Sequence, residues 1–480
     1  MNLKNKTIKA LGWDLSGRFA SQGVSFVISI LLARLLSPQD FGVLAMVNVV
    51  VAVATVFIDM GFGSSLVQRS IITEEHYNSV FVFNIMFGLF LSVLLFMCSG
   101  SLARFYENKI IEDVGRVMSL IFVLNAFGSV VRIKLYKELN FKALSLATLF
   151  GTVIGGTIGV LMAFMGYGIW SLVAQSLLSL FLTTLYCYFS AKWFPKIIFK
   201  LKILKELWSY SFHIFISTII GIFFGQLDNL VIGKLFASAK LGYYYRAKSM
   251  ESLIHNYTSQ SLLSVLFPSM SSVKEDRNRF NSIVFKAYHI ICFFSFFLLG
   301  LLYLVSEDLM VILFSEKWLP SVPYFRILLL SSFVYPMGAL FNAVLASKGN
   351  SKAFLHSTIV RYVILLPTYF VLFHFEIDVF LYSFCFATIL SLFTATHYAS
   401  KEMRTSALWF YKTLIPYISI NALITILLEQ INHLIILNHF LHLSLFTALF
   451  LFSYIFLSKL FGIEGYKLSM AEFHNIRINA

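Results

Sequence analysis

Arg34-Leu35-Leu36-Ser37-Pro38-Gln39-Asp40-Phe41-Gly42 and Lys234-Leu235-Phe236-Ala237-Ser238-Ala239-Lys240-Leu241-Gly242 lie 200 positions apart in the chain and share one pattern. Each begins with a cation at the end of a long apolar run and sets a glycine eight residues later, where the next apolar run opens. The pairing matches the first crossing of the chain with the seventh. It divides the first twelve crossings into two sets of six, and because six is even the two sets run in the same direction, related by an axis along the membrane normal.

Outward from these breaks, continuously apolar runs of helical length fall at 13–35, 41–62, 80–100, 114–131, 144–165, 168–190 and 209–233. A second set falls at 249–270, 283–304, 322–345, 353–373, 379–398, 412–430 and 439–461. The expected fold class is therefore an all-α polytopic membrane protein of about 14 transmembrane helices, with Glu251, His255 and Asn256 weakening the eighth. Strands of a membrane barrel would alternate in polarity, which these runs do not. The expected division is an N-terminal six-helix lobe over 1–190, a second over 191–400, and two additional helices with a tail over 401–480.

Composition excludes the alternatives. Of 480 residues 59% are hydrophobic and only 12% charged, about half the charged share of a soluble protein. The 52 Phe and 23 Tyr are too bulky an apolar load for loops to solvate. A net charge of +14 is not gathered into the basic face a nucleic acid would need, so no nucleic-acid partner is expected. Most Lys and Arg instead fall in the connections on the side of the N-terminus, which places both termini in the cytoplasm by the positive-inside rule. Cys98, Cys187, Cys292 and Cys385 are far apart, without a CxxC, and read as buried thiols. No cofactor and no metal site is expected. The connections are short, the longest running from Ala191 to Trp208, and leave no room for a soluble catalytic domain, so the expectation is a non-enzyme.

Polar residues inside the apolar runs mark where function sits, because charge within a bilayer is costly. Asp14, Arg18, Gln22, Ser25 and Ser29 recur at helical spacing along one face of the first crossing. The seventh repeats the arrangement with Ser209, His213, Ser217, Gly221, Gly225 and Asn229, with Asp228 adjoining. The second contributes Asn48, Thr55 and Asp59, and the eleventh carries Arg361 near mid-depth.

Several stretches resemble a known family: Ser21-Gln22-Gly23-Val24-Ser25-Phe26, Leu32-Ala33 with the first break to Gly42, Asp59-Met60-Gly61-Phe62-Gly63, Val67-Gln68-Arg69, and Gln226-Leu227-Asp228-Asn229-Leu230-Val231-Ile232-Gly233 with the second break to Tyr244. Together they are similar to bacterial polysaccharide exporters of the Wzx type, in particular the colanic-acid and teichuronic-acid exporter branch. The resemblance covers most of the chain; the last 80 residues share only the hydropathy. It implies the multidrug/oligosaccharidyl-lipid/polysaccharide exporter fold, with two six-helix lobes around a central cavity and two C-terminal helices. It also implies an inner-membrane flippase for undecaprenyl-diphosphate-linked oligosaccharide in lipopolysaccharide, O-antigen or related polysaccharide biosynthesis, with membrane lipids and a polysaccharide polymerase as further partners.

A lipid-linked sugar needs a cation for its diphosphate and polar groups for its hydroxyls. Arg18, Gln22, Arg361, Asn48 and Asp59 are the candidates for substrate binding. Arg18 matches a cavity arginine in the first helix of the related lipid II flippases, but a second arginine that they carry six residues later is Val24 here. The competing reading pairs Arg18 with Asp14 or Asp59 as a helix tie. Asp228 and His213 are candidates for a coupling ion or proton, or for helix-helix hydrogen bonds. Lys234, Arg246 and Lys248 run against the charge bias on the outer side. They read either as exit-side phosphate contacts or as cations snorkelling to outer-leaflet phosphates beside Tyr243, Tyr244 and Tyr245. Three other functions compete: a cation-coupled small-molecule exporter of the same superfamily, a membrane glycosyltransferase or polymerase acting on the same lipids, and a lipid scaffold that transports nothing.

Overall fold

A computed structural model describes the backbone of residues 3–69, 71–432 and 437–479; within these, the side chains of 3–11, 14, 15, 253–265, 267, 268, 351 and 472–479 lie outside the description. Asp14, named above as a partner for Arg18, is among the latter. The first compact unit, Met1–Gly242, holds α1 (Leu3–Leu35), α2 (Pro38–Asp59), α3 (Phe62–Gln68), α4 (Glu74–Phe105), α5 (Ile110–Met118), α6 (Leu120–Lys137), α7 (Phe141–Phe164), α8 (Ile169–Ala191) and α9 (Leu201–Leu235). Then α10 (Ser238–Ser272) leads into the second unit, Tyr243–Ala480. There follow α11 (Arg277–Leu304), α12 (Ser306–Phe314), α13 (Ser321–Ser332), α14 (Val334–Ser347), α15 (Ser351–Val371), α16 (Ile377–Met403), α17 (Ala407–Asn432), α18 (His439–Leu460) and α19 (Glu464–Asn479).

Among the described residues 13 helical segments are long and apolar enough to cross a membrane, two of them broken into consecutive helices, Ile110–Lys137 and Ser321–Ser347. The chain is an all-α polytopic membrane protein. The crossing expected at 249–270 falls within α10, which is not among the 13, and most of its side chains there lie outside the description. The chain passes from the first unit to the second at Gly242, and α9 packs on α2, α3 and α4 of the first unit. Of the four thiols, Cys187, Cys292 and Cys385 are buried but Cys98 is exposed on α4, so that expectation is corrected. An apolar, lipid-compatible position on an outer helix face looks like a core position in sequence.

The two copies of the opening pattern turn the chain in register. The helices α1 and α9 end at Leu35 and Leu235, and α2 and α10 begin at Pro38 and Ser238, each shifted by 200. In the first copy Ser37 caps α2. The Asp40 amide donates to Ser37 Oγ (3.3 Å) and the Ser37 amide donates to Asp40 Oδ2 (2.9 Å), with Pro38 in the first turn. The copies then meet each other. A Cβ placed on Gly42 would lie 1.8 Å from the Ser238 carbonyl oxygen, and one on Gly242 would lie 1.9 Å from the Pro38 carbonyl oxygen. Only glycine permits this reciprocal backbone approach.

Small residues also seat α1 and α8 on α7. A Cβ at Gly155 would lie 2.6 Å from the Ser179 amide nitrogen, and at Gly156 2.1 Å from Ile28 Cδ1. Around Gly221 and Gly225 of α9 no atom of the described residues lies within 4 Å of an added Cβ.

Candidate functional site

In the first unit α1 leans on α7 through Gly17 and Ile28, and the Ser145 hydroxyl of α7 donates to the Trp13 carbonyl (3.0 Å). That contact fixes which face of α1 is left over. Arg18 and Gln22, one turn apart, are both exposed on it.

Asn48 is half-buried on α2, while Asp59 ends that helix and accepts the Gly63 amide on both carboxylate oxygens (3.1 and 3.0 Å). Between them Met60 and Gly61 take left-handed φ angles of 43° and 79°, reversing the chain into α3. Asp59 therefore caps α3, and its charge interacts with Arg132 on α6 and with Asn84 on α4. Asn84 is hydrogen-bonded to Ser129 (2.7 Å), and the Arg132 guanidinium donates to Asn125 Oδ1 (3.5 Å). Sequence reasoning missed Arg132 because it stopped the fourth crossing at 131. The helix continues because Lys134 and Lys137 leave it sideways. Lys134 pairs with Glu74 (2.5 Å), and Lys137 donates to the carbonyls of Leu66 (2.6 Å) and Arg69 (2.5 Å) at the C-terminal end of α3.

On α9, His213 is exposed, its Nδ1 donating to the Ser209 carbonyl (2.9 Å). Asp228 is buried and accepts the Asn229 amide (2.9 Å), and Asn229 Nδ2 donates to Gln226 Oε1 (2.9 Å). Asn229 Oδ1 is buried without a hydrogen-bond partner among the described residues. Beside this group α2, α4 and α9 enclose an apolar pocket of about 480 Å³, lined by Val53, Phe57, Phe87, Phe90 and Leu227 among others. Lys234, at the end of α9, pairs with Glu107 (2.8 Å) and lies over the Phe105 ring. The hydrogen bond from Lys234 holds the Glu107 carboxyl below its usual pKa.

In the second unit Arg246 is buried, its guanidinium 4.6 Å from the Phe314 ring centre and 4.9 Å from that of Trp318. Lys248 lies over Tyr244 (5.8 Å). Of these three cations, then, Lys234 is tied to a carboxylate and Arg246 lies beside two aromatic rings. Arg361 on α15 lies 5.6 Å from the Tyr335 ring, and its Nε is buried with no hydrogen-bond partner among the described residues.

Two further polar groups in this unit were not among the candidate site residues. Glu251 of α10 is buried, with Oε1 unpartnered among the described residues. Asp308 of α12 is shared by two histidines of α18. His439 Nδ1 lies 2.8 Å from Asp308 Oδ1, His442 Nδ1 bonds Asp308 Oδ2, and His442 Nε2 reaches Asn432 Oδ1 (2.5 Å). These residues are more than 120 positions apart in part and carry no motif; the His-x-x-His spacing at 439 and 442 is the one local hint. A second pocket, of about 510 Å³, opens by His289, Tyr417 and Glu464. Among the described residues no group of three or more His, Cys, Asp or Glu could hold a metal ion.

Residues 31–323 match the family described as polysaccharide biosynthesis protein, more than half of the chain. The chain belongs to that family. Among its relatives, the succinoglycan biosynthesis transport protein ExoT of Rhizobium meliloti is 26% identical over 363 residues, spanning 76% of this chain and 73% of that protein. The lipopolysaccharide biosynthesis protein WzxC of Escherichia coli is 25% identical over 354 residues, spanning 72% and 71%. Among solved structures, the lipid II flippase MurJ in an inward closed conformation aligns with 93% of this chain and 98% of its own at a TM-score of 0.76 and 14% identity. That likeness establishes the fold, and it agrees with the exporter fold implied by the residues around the two breaks. Within this family member, Asp59 and Lys234 are held by hydrogen bonds or an ion pair, while Asn229 Oδ1, Glu251 Oε1 and Arg361 Nε have no hydrogen-bond partner among the described residues.

Proposed function

We propose that this protein is a flippase that moves undecaprenyl-diphosphate-linked oligosaccharide from the cytoplasmic to the outer leaflet of the bacterial inner membrane, for surface polysaccharide export. It exposes the headgroup site alternately to the two sides. Both termini are cytoplasmic, and a polysaccharide polymerase receives the product. The single observation that carries the reading is Arg361: a guanidinium on a membrane-spanning helix whose buried Nε has no partner among the described residues. A buried donor left open costs free energy unless something fills it, and a phosphate group is an anion that a guanidinium fork binds bidentately. Arg18 with Gln22 on the exposed face of α1 supplies a second cation and an amide for sugar hydroxyls. The names of the relatives, a succinoglycan transport protein and a lipopolysaccharide biosynthesis protein, support the substrate class. Asp228 with Asn229 is the place assigned to a coupling ion or proton.

The test is export in the native host lacking this chain. The wild-type gene restores surface polysaccharide, and lipid-linked repeat units cease to accumulate on the cytoplasmic side. Arg361→Gln and Arg18→Ala each reduce restoration at least tenfold at equal membrane abundance, a loss of about 1.4 kcal/mol or more in transport, and Arg361→Lys recovers only part of it. Normal polysaccharide with both arginines replaced defeats the assignment. Flipping in proteoliposomes separates translocation from glycosyl transfer, because a transferase changes the lipid chemically and a flippase does not.

A further inference from the structure

Between the end of α8 and the start of α9 the chain crosses the rim of the first unit without helix, and its composition there fits neither water nor hydrocarbon. Lys192, Lys196, Lys200, Lys202 and Lys205 are all exposed. Interleaved with them, Ile197 is 93% exposed, Phe194 72% and Leu201 62%. Residues 192–200 lie outside the membrane-spanning segments, which end at Ala191 and resume at Leu201. A fully exposed isoleucine outside the bilayer core is unfavourable in water. Next to lysines it belongs at the boundary where headgroups meet acyl chains.

The backbone is held in place to present this surface. The Trp193 indole donates to Glu74 Oε2 (2.6 Å) and its ring is buried against Tyr77 and Phe81. The Lys196 amide donates to Asn78 Oδ1 (2.7 Å) and the Lys200 amide to Ser79 Oγ (3.2 Å). Of the five lysines, Lys200 is paired with Glu75 (2.5 Å). Inward, then, the segment is pinned by one tryptophan and three hydrogen bonds to α4. Outward it offers apolar side chains alternating with positive charge.

The length of α9 sets the height of this surface. At 1.5 Å per residue its 35 residues span about 50 Å, against a hydrocarbon core of about 30 Å. The helix is thus longer than the core is thick, and Lys202 and Lys205, exposed in its first turns beside Leu201, fit the headgroup level at this end.

We propose that residues 192–205 form an interfacial foot that binds the anionic phospholipid surface of the leaflet beside it, with Phe194, Ile197 and Leu201 inserted at the acyl boundary and Lys192, Lys196, Lys202 and Lys205 on headgroup phosphates. This surface is independent of the translocation reading: it stands or falls whether or not the protein flips a lipid.

The experiment uses the full chain in proteoliposomes of phosphatidylcholine carrying either spin-labelled phosphatidylglycerol or spin-labelled phosphatidylcholine. Electron paramagnetic resonance reads the motionally restricted fraction of each lipid. The wild-type protein enriches phosphatidylglycerol over phosphatidylcholine several-fold, since one well-placed lysine alone is worth roughly fivefold at the contact. The quadruple variant Lys192→Gln, Lys196→Gln, Lys202→Gln, Lys205→Gln loses at least half of that preference, the matching quadruple Lys→Arg variant keeps it, and Ile197→Asp lowers it where Ile197→Leu does not. An unchanged preference in the quadruple Gln variant, at unchanged thermal stability, overturns the proposal. If the quadruple variant fails to fold, Ile197→Asp decides: no change relative to Ile197→Leu likewise overturns it. Millimolar inorganic pyrophosphate leaves the preference standing if a lipid surface is bound. Its displacement by pyrophosphate overturns the surface reading in favour of a discrete diphosphate site.

Discussion

Residues 34–42 and 234–242 turn the chain at the same place in two halves of a repeat, yet they do it with different chemistry. The first copy carries a capping box, Ser37 with Asp40, and a proline in the first turn. The second has Ala237 and Lys240 at the matching positions, neither of which can accept a hydrogen bond from a helix N-terminus, and Ser238 in place of Pro38. What both keep is the glycine. Gly42 faces the Ser238 carbonyl and Gly242 faces the Pro38 carbonyl, in reciprocal fashion. Local capping is thus dispensable where packing holds the turn, while the backbone contact between the copies tolerates no side chain at all.

The largest effect is expected from breaking that contact. Alanine at Gly42 or Gly242 must displace a carbonyl oxygen that belongs to rigid helix backbone, so we expect each substitution to cost about 3 kcal/mol, the upper end for overpacking. The double variant should cost less than the sum, because one separation of α2 from α10 relieves both clashes. Thermal unfolding in detergent measures this; equal and fully additive losses would mean the two glycines act at separate places. A smaller effect sharpens the comparison from the other side. Ser37→Ala should destabilise by about 1 kcal/mol, and transplanting the box through Ala237→Ser with Lys240→Asp should gain a comparable amount if the second turn is held only by packing. No gain would show that the N-terminus of α10 is already satisfied.

The same contrast explains how much could be read in advance. The apolar runs, the two breaks and their 200-residue offset were legible, because continuous hydrophobicity and punctuation by Gly, Pro and charge are local signals. On α1, Arg18 and Gln22, one turn apart, are both exposed. What escaped depends on distant partners. Arg132 read as a loop cation because nothing nearby announces that Lys134 and Lys137 reach out to Glu74 and to the end of α3 and let the helix run on. Arg246 read as an exit-side phosphate contact or a snorkelling cation, and the rings of Phe314 and Trp318, about 70 positions later, lie beside its buried guanidinium. Asp308 gave no signal at all until α18 brought His439 and His442 to it.

The smallest effect is expected at the cation that opens the second copy. Lys234 corresponds to Arg34, and its Nζ lies 2.8 Å from Glu107 Oε1 in the turn after α4. The pair is solvent-exposed on the carboxylate side, so its contribution is slight and screened by salt. Its sign is nevertheless fixed. The hydrogen bond and charge of Lys234 lower the Glu107 pKa in the folded protein. A depressed carboxylate stabilises the fold above its unfolded pKa, about 4.3 for glutamate, and that contribution is lost as pH falls through the folded value. Glu107→Gln should therefore lower the unfolding temperature slightly at neutral pH, with the difference from wild type closing below about pH 4 and shrinking in high salt at any pH. A deficit that persisted at low pH would move the cause from the ion pair to the turn itself, where Glu107 holds a left-handed φ of 54°.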